Sequence, residues 1–104
     1  MNSDAYDVIV VGAGAAGLTA ACTAAALAAR VLVLECSDRI GGTTAISGGM
    51  IWVPANYKMS EAGLPDSLDA ARTYLRQLIP RCEQDRRMSA FLARGDEAIR
   101  LQAH

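Results

Sequence analysis

The chain has 104 residues, 52% of them hydrophobic and 20% charged, a balance too apolar for disorder at a length that allows one domain at most. Its formal net charge of −1 leaves no basic excess for nucleic acid or an anionic membrane surface. Three cysteines, Cys22, Cys36 and Cys82, are odd in number and lack C-x-x-C spacing, which argues against a disulfide framework or a zinc site and predicts reduced thiols in a cytoplasmic protein.

After a short polar lead, Tyr6 and Asp7 hand directly into Val8-Ile9-Val10-Val11. This short β-branched run predicts a strand buried on both faces of a parallel sheet. It ends at Gly12, and Gly12, Gly14 and Gly17 give the spacing G-x-G-x-x-G. The first glycine permits a tight turn, the second lets the backbone approach a pyrophosphate, and the third lets a helix pack close to the strand. An anion site is expected at the start of that helix, because its first N–H groups lack intrahelical partners and its dipole favours negative charge. Residues 18–29 supply the helix, rich in alanines small enough to lie flat on a sheet. Ala28-Ala29 stands where a helix returning to a strand often has a left-handed glycine, so an alanine is expected there at a cost of about 1–2 kcal/mol, unless the turn is built differently. Val31 to Leu34 reads as the second strand, and Glu35 at its end is placed to accept hydrogen bonds from ribose hydroxyls. Strand, glycine turn, helix, strand and acid in that order are the context the glycine spacing requires to signify a dinucleotide site. No Gly-Lys-Ser/Thr follows, which excludes a P-loop. Residues 8–29 carry no charge, but their glycines, threonines and alanines are too weakly apolar for a membrane span, and Asp4 and Asp7 precede them in place of a basic leader.

A polar connector, residues 36–40, leads to Gly41-Gly42-Thr43-Thr44-Ala45-Ile46-Ser47-Gly48-Gly49. Four glycines in nine residues, interleaved with hydroxyls, make either a loop whose backbone presses against a flat or phosphorylated ligand or a flexible linker. Met50 to Pro54 is a short apolar segment able to line a pocket or add a strand, with Trp52 expected in a core.

Residues 56–65 read as a turn-rich connection punctuated by Gly63 and flanking prolines. Asp66 or Ser67 caps a helix expected to run to about Ile79, with Leu68, Ala71, Leu75 and Leu78 at helical spacing, and Pro80 stops it. A second helix is predicted from about Asp85, with Met88, Phe91 and Leu92 on one side and an end near Gly95; a third begins at Asp96. Arg86 and Arg87 read as solvated charges. The single histidine, His104, is terminal and offers neither a base nor a metal ligand, and no metal site is expected.

Residues 12–17, Glu35 and the run from Gly41 to Gly49 with Ile51-Trp52-Val53-Pro54 resemble the N-terminus of flavoproteins of the fumarate reductase and 3-ketosteroid dehydrogenase family. Gly-Gly-Thr-Thr-Ala-Ile-Ser-Gly-Gly-Met-Ile-Trp-Val-Pro is closer to the 3-ketosteroid Δ1-dehydrogenase branch, and the likeness extends across nearly the whole chain. The resemblance implies an α/β fold: a Rossmann-like βαβ dinucleotide-binding unit followed by a helical segment, as the incomplete N-terminal fragment of a larger flavoprotein. It implies an FAD-binding unit with its flavin loop over residues 1–54 and the start of another domain over 55–104. The implied cofactor is FAD, held through Gly12, Gly14, Ala15, Ala16, Gly17, Glu35, Gly42, Thr43, Thr44, Ser47, Gly48 and Gly49. Cys36 departs from the basic residue usual in relatives. Covalently flavinylated relatives use a histidine in the segment matching residues 41–44, and this chain has none, so noncovalent FAD is implied. The implied activity is oxidoreduction of a CH–CH bond beside a carbonyl, on a small molecule such as a ketosteroid, with the catalytic groups outside these residues. An NAD-dependent dehydrogenase segment shares the glycine motif and acid, and a non-catalytic truncated chain is the alternative of a different class.

Overall fold

A computed structural model describes residues 5–81 and 85–103. Cys82 and His104 lie outside the described residues. The chain divides into two compact units, one closing at Ile51 and the other opening at Trp52.

In the first unit β1 (Val8–Val11) and β2 (Val31–Leu34) form a parallel pair, with Val8 opposite Val31 and Val11 opposite Leu34. Both strands fall where their β-branched and leucine runs place them. Asp7 ties their starting ends: its N–H donates to the Arg30 carbonyl at 2.9 Å, and its carboxylate accepts the Arg30 N–H at 2.8 Å.

Between the strands runs α1 (Ala15–Ala26), packed on both. It starts three residues earlier than propensity predicts, because Gly14, extended at φ −84° and ψ −173°, serves as its N-cap inside the motif. Its far end also comes early, and the geometry anticipated at Ala28 is present. Ala28 takes φ 63°, its N–H donates to the Ala25 carbonyl at 2.9 Å, and the Ala29 N–H donates to Ala24 at 3.1 Å. Those two bonds are the Schellman pattern, built here on alanine in place of glycine. Gly17 shows why the third motif position has no side chain: a Cβ there would lie 1.9 Å from the Gly12 carbonyl oxygen.

The expectation of a strand buried on both faces is corrected. Val8 and Val10 are half-buried, with Val10 on the α1 side, whereas Ile9 is 59% and Val11 83% exposed. Among the described residues α1 packs on both strands.

Among the described residues the second unit has three helices, α2 (Tyr57–Glu61), α3 (Leu68–Leu78) and α4 (Arg86–Gln102). The span read as a connection contains α2, whose cap is Asn56: its Oδ1 accepts from the N–H groups of Lys58 at 3.0 Å and Met59 at 3.3 Å. Ser67 caps α3 by accepting the Ala70 N–H at 3.1 Å. Ile79 leaves the helix in extended geometry, as a residue before proline must.

The two helices expected on either side of Gly95 are one. Gly95 is buried inside α4, and a Cβ on it would stand 2.8 Å from the Val53 methyl Cγ1, so it serves close packing instead of termination. Asp96, expected to open a third helix, links α4 to α2. It accepts the Tyr57 N–H at 2.6 Å and the Arg100 Nε–H at 2.8 Å, and the Arg100 guanidinium lies 4.3 Å over the Tyr57 ring. The core of this unit is Ala71, Leu75 and Leu92 with Met88 against them. Residues 50–54 add no strand. Trp52 is half-exposed instead of buried, its ring 5.8 Å from Tyr74 and 6.2 Å from Phe91.

Candidate functional site

At the carboxyl end of β1 the Gly12 N–H donates to the Leu34 carbonyl at 2.7 Å, which extends the strand pairing by one step before the chain turns. That turn needs φ 100° at Gly12, a left-handed value that a side chain would strain. Gly14 then caps α1 with no side-chain acceptor, and the first turn of the helix carries no acid. The intrahelical ladder starts with the Leu18 N–H on the Gly14 carbonyl at 2.9 Å. The N–H groups of Ala15, Ala16 and Gly17 therefore precede that ladder. A Cβ on Gly14 would meet nothing within 4 Å, so open space lies beside the residue that caps the helix. Three leading N–H groups, the positive end of a helix dipole and an uncrowded backbone make an anion cradle without any basic side chain.

Glu35 closes the site from the end of β2. One carboxylate oxygen, Oε2, accepts the Ala13 N–H at 2.8 Å; the other, Oε1, accepts the Ser37 N–H at 3.0 Å and the Cys36 thiol at 3.3 Å. These donors hold its carboxyl at about 2, below its usual 4.5, with the Ala13 N–H the largest cause and the Ser37 N–H next. The group is thus a fixed carboxylate with one lone pair left over, on Oε2, for a further donor.

The glycine-rich run at 41–49 is pinned to this turn and is not a free linker. The Gly41 N–H donates to the Ala13 carbonyl at 2.7 Å, and a Cβ on Gly42 would lie 3.5 Å from the Gly14 Cα. Within the run, Gly42–Ile46 form a single 3-10 turn. Thr43 and Thr44 are exposed on it, while the Ser47 hydroxyl folds back, donating to the Thr44 carbonyl at 2.7 Å and accepting the Gly49 N–H at 3.1 Å. Gly48 has open space around it. The structure therefore gathers Gly12, Gly14, Ala15, Ala16, Gly17, Glu35 and Gly42 around one cradle, with Thr43, Thr44, Ser47, Gly48 and Gly49 continuing from it.

Ala13 is the residue that sequence reasoning missed. It is fully buried, and both its N–H and its carbonyl are committed, to Glu35 and to Gly41. No residue type signals that role, since only backbone atoms perform it.

A second concave feature lies within the helical unit, a cleft of about 600 Å³ lined chiefly by Trp52, Pro54, Asp66, Tyr74, Leu75 and Leu78. Asp66 there accepts the Ala55 N–H at 2.7 Å and the Ser67 N–H at 2.8 Å. Among the described residues no group of three or more His, Cys, Asp or Glu side chains is placed to hold a metal ion. Nor is any described helix long and apolar enough to cross a membrane.

Comparison with known proteins bears directly on this cradle. A family model described as an FAD binding domain matches residues 7–103. The chain is 46% identical over 99 residues to the 4-oxocyclohexanecarboxylate 2-dehydrogenase of Sinomonas cyclohexanicum, covering 95% of this chain and 17% of that protein. It is 40% identical over 99 residues to the 3-oxosteroid 1-dehydrogenase of Mycobacterium tuberculosis (strain ATCC 25618 / H37Rv), covering 95% of this chain and 18% of the relative. Among solved structures it matches the 3-ketosteroid delta1-dehydrogenase of Sterolibacterium denitrificans, in complex with 1,4-androstadiene-3,17-dione. That match has a TM-score of 0.79 and 42% identity, covering 91% of this chain and 16% of the other. The chain thus spans less than a fifth of the length of these relatives.

Proposed function

The chain belongs to the FAD binding domain family, and from that premise we propose that residues 1–54 grip the ADP half of FAD for a dehydrogenase acting on a carbon–carbon bond beside a carbonyl. The observation that carries this reading is the open space at Gly14, the cap of α1, with the ionised Glu35 bonded to the neighbouring Ala13 N–H. Ala15, Ala16 and Gly17 donate their N–H groups to the pyrophosphate, Gly14 keeps that approach clear, and Glu35 accepts from the ribose hydroxyls. Gly42, Thr43, Thr44, Ser47, Gly48 and Gly49 line the path from the pyrophosphate toward the flavin, with Thr43 and Thr44 offering hydroxyl donors. Bound FAD supplies a hydride acceptor, which no side chain provides.

The substrates for which these relatives are named, a 3-oxosteroid and 4-oxocyclohexanecarboxylate, have a ring ketone in common. We take the substrate of the protein containing this chain to be a cyclic ketone dehydrogenated next to its carbonyl. The free thiols of Cys22 and Cys36 fit a reducing compartment, the cytoplasm. Because residues 41–44 hold no histidine, FAD is held without a covalent link. Gel filtration of the chain with excess FAD tests both points. Yellow colour should travel with the protein and leave the pellet on acid precipitation. Protein that elutes colourless contradicts the cofactor reading, and a yellow acid pellet contradicts noncovalent attachment.

A further inference from the structure

Ala13 is 0% exposed, so its N–H and C=O have no water to fall back on if a protein partner is lost. The N–H goes to Glu35 at 2.8 Å and the C=O receives the Gly41 N–H at 2.7 Å. Glu35 is itself fixed from the other side by the Ser37 N–H at 3.0 Å. A continuous line of short hydrogen bonds thus runs from Ser37 through Glu35 and Ala13 to the start of the 41–49 loop.

We propose that Glu35 is a positioning residue for that loop: through the backbone of Ala13 it couples the ribose end of the cofactor site to residues 41–49. The identity of the ligand in this proposal rests on the FAD reading above; the coupling rests on the hydrogen bonds alone. A carboxylate suits the task because it accepts at both oxygens, from Ala13 on one and Ser37 on the other. Glutamine would turn a donor toward one of these donors, and alanine would leave both unpaired. A ligand that grips Glu35 holds Ala13, and with it Gly41, in place. By linkage, order in the 41–49 loop raises affinity at the ribose end by the same factor. FAD spans both ends, so each half of the molecule prepares the site for the other.

The probe is ADP, which has the ribose and pyrophosphate but no flavin, and the readout is backbone amide hydrogen exchange on the whole chain. In the unaltered chain ADP should slow exchange at Ala13 and Gly41 by about fivefold or more. It should leave Val8, whose N–H pairs with the Arg30 carbonyl at the far end of the strands, as a control. In Glu35→Ala, at an ADP concentration that dialysis shows to saturate the variant, that protection should vanish, and in Glu35→Gln it should weaken; without nucleotide both amides should exchange faster in each variant while Val8 does not change. Glu35→Gln keeps one acceptor oxygen, and so serves if the alanine variant accelerates every amide by unfolding. Equal ADP protection of Gly41 in both variants overturns the coupling. So does bound ADP that leaves Gly41 unprotected in the unaltered chain. If equilibrium dialysis shows that ADP does not bind, the FAD reading fails, and the nucleotide-free comparison decides the coupling: unchanged Gly41 exchange in Glu35→Gln refutes it.

Discussion

In the unit that closes at Ile51, the buried apolar side chains among the described residues are those of Ala13 and Ala21, one methyl each, while backbone hydrogen bonds hold the turn, the helix end and the glycine-rich loop. In the unit that opens at Trp52, Leu75 and Leu92 close over Ala71, and Gly95 brings α4 against Val53. A surface that receives a pyrophosphate must offer bare N–H groups at close range, which bulky side chains would block. Such a surface is ordered by backbone geometry and is most easily broken by adding an atom. The helical unit is ordered instead by side-chain volume.

Two glycines of the same motif sharpen this contrast most. Gly17→Ala places a methyl 1.9 Å from a backbone oxygen that has no flexible side chain to yield. We expect it to cost about 3 kcal/mol, at the upper end for overpacking, and to remove FAD binding with it. Gly14→Ala meets no atom within 4 Å and has an ordinary φ of −84°. Urea unfolding should shift by no more than about 0.5 kcal/mol, whereas FAD affinity falls about tenfold, or 1.4 kcal/mol. Equal losses of stability in the two variants would erase the distinction between a packing glycine and a ligand glycine.

A smaller effect is expected where the helical unit also uses a glycine. Gly95→Ala gains about 1 kcal/mol of helix propensity but drives its methyl to 2.8 Å from Val53 Cγ1, and we expect a net loss of about 1 kcal/mol. Val53→Ala removes the opposing methyl, so the double variant should recover part of that loss in a thermal melt followed by Trp52 fluorescence, the chain having a single tryptophan. In the first unit the opposite change should help. Ala28→Gly relieves a left-handed alanine at φ 63° and should raise stability by about 1 kcal/mol, less the extra entropy of glycine in the unfolded chain.

The mildest change is with pH. The folded value of Glu35, about 2, lies below its usual 4.5, so its contribution is complete above the usual value and is lost as pH falls through about 2. The carboxyl carbon resonance of Glu35 should titrate in that acid range, and a midpoint near 4.5 would mean that the Ala13 and Ser37 donors do not hold it.

Those same features divide what the sequence makes legible from what it hides. Val8–Val11 and Val31–Leu34 were readable because each short apolar run is bounded by residues that end a strand, Gly12 on one side and Glu35 on the other. Asp66 or Ser67 announced α3, of which Ser67 is the cap, and the missing glycine at the end of α1 announced the left-handed geometry at Ala28. Gly95 misled, because a glycine that ends a helix and one that lets a helix approach Val53 look the same until the packing partner is known. The five-residue α2 is too short to show a helical period. Ala13 gave no sign at all: its place between Glu35 and Gly41 depends on tertiary folding and on atoms that every residue has.

The cradle proposed above is closed by a fixed negative charge at its ribose end. Equilibrium dialysis of the chain against FAD and against NADP tests it most directly, because the 2′-phosphate of NADP would be set beside the Glu35 carboxylate in a confined site where like charges repel. FAD should be retained and NADP should not. NADP held more tightly than FAD would contradict this.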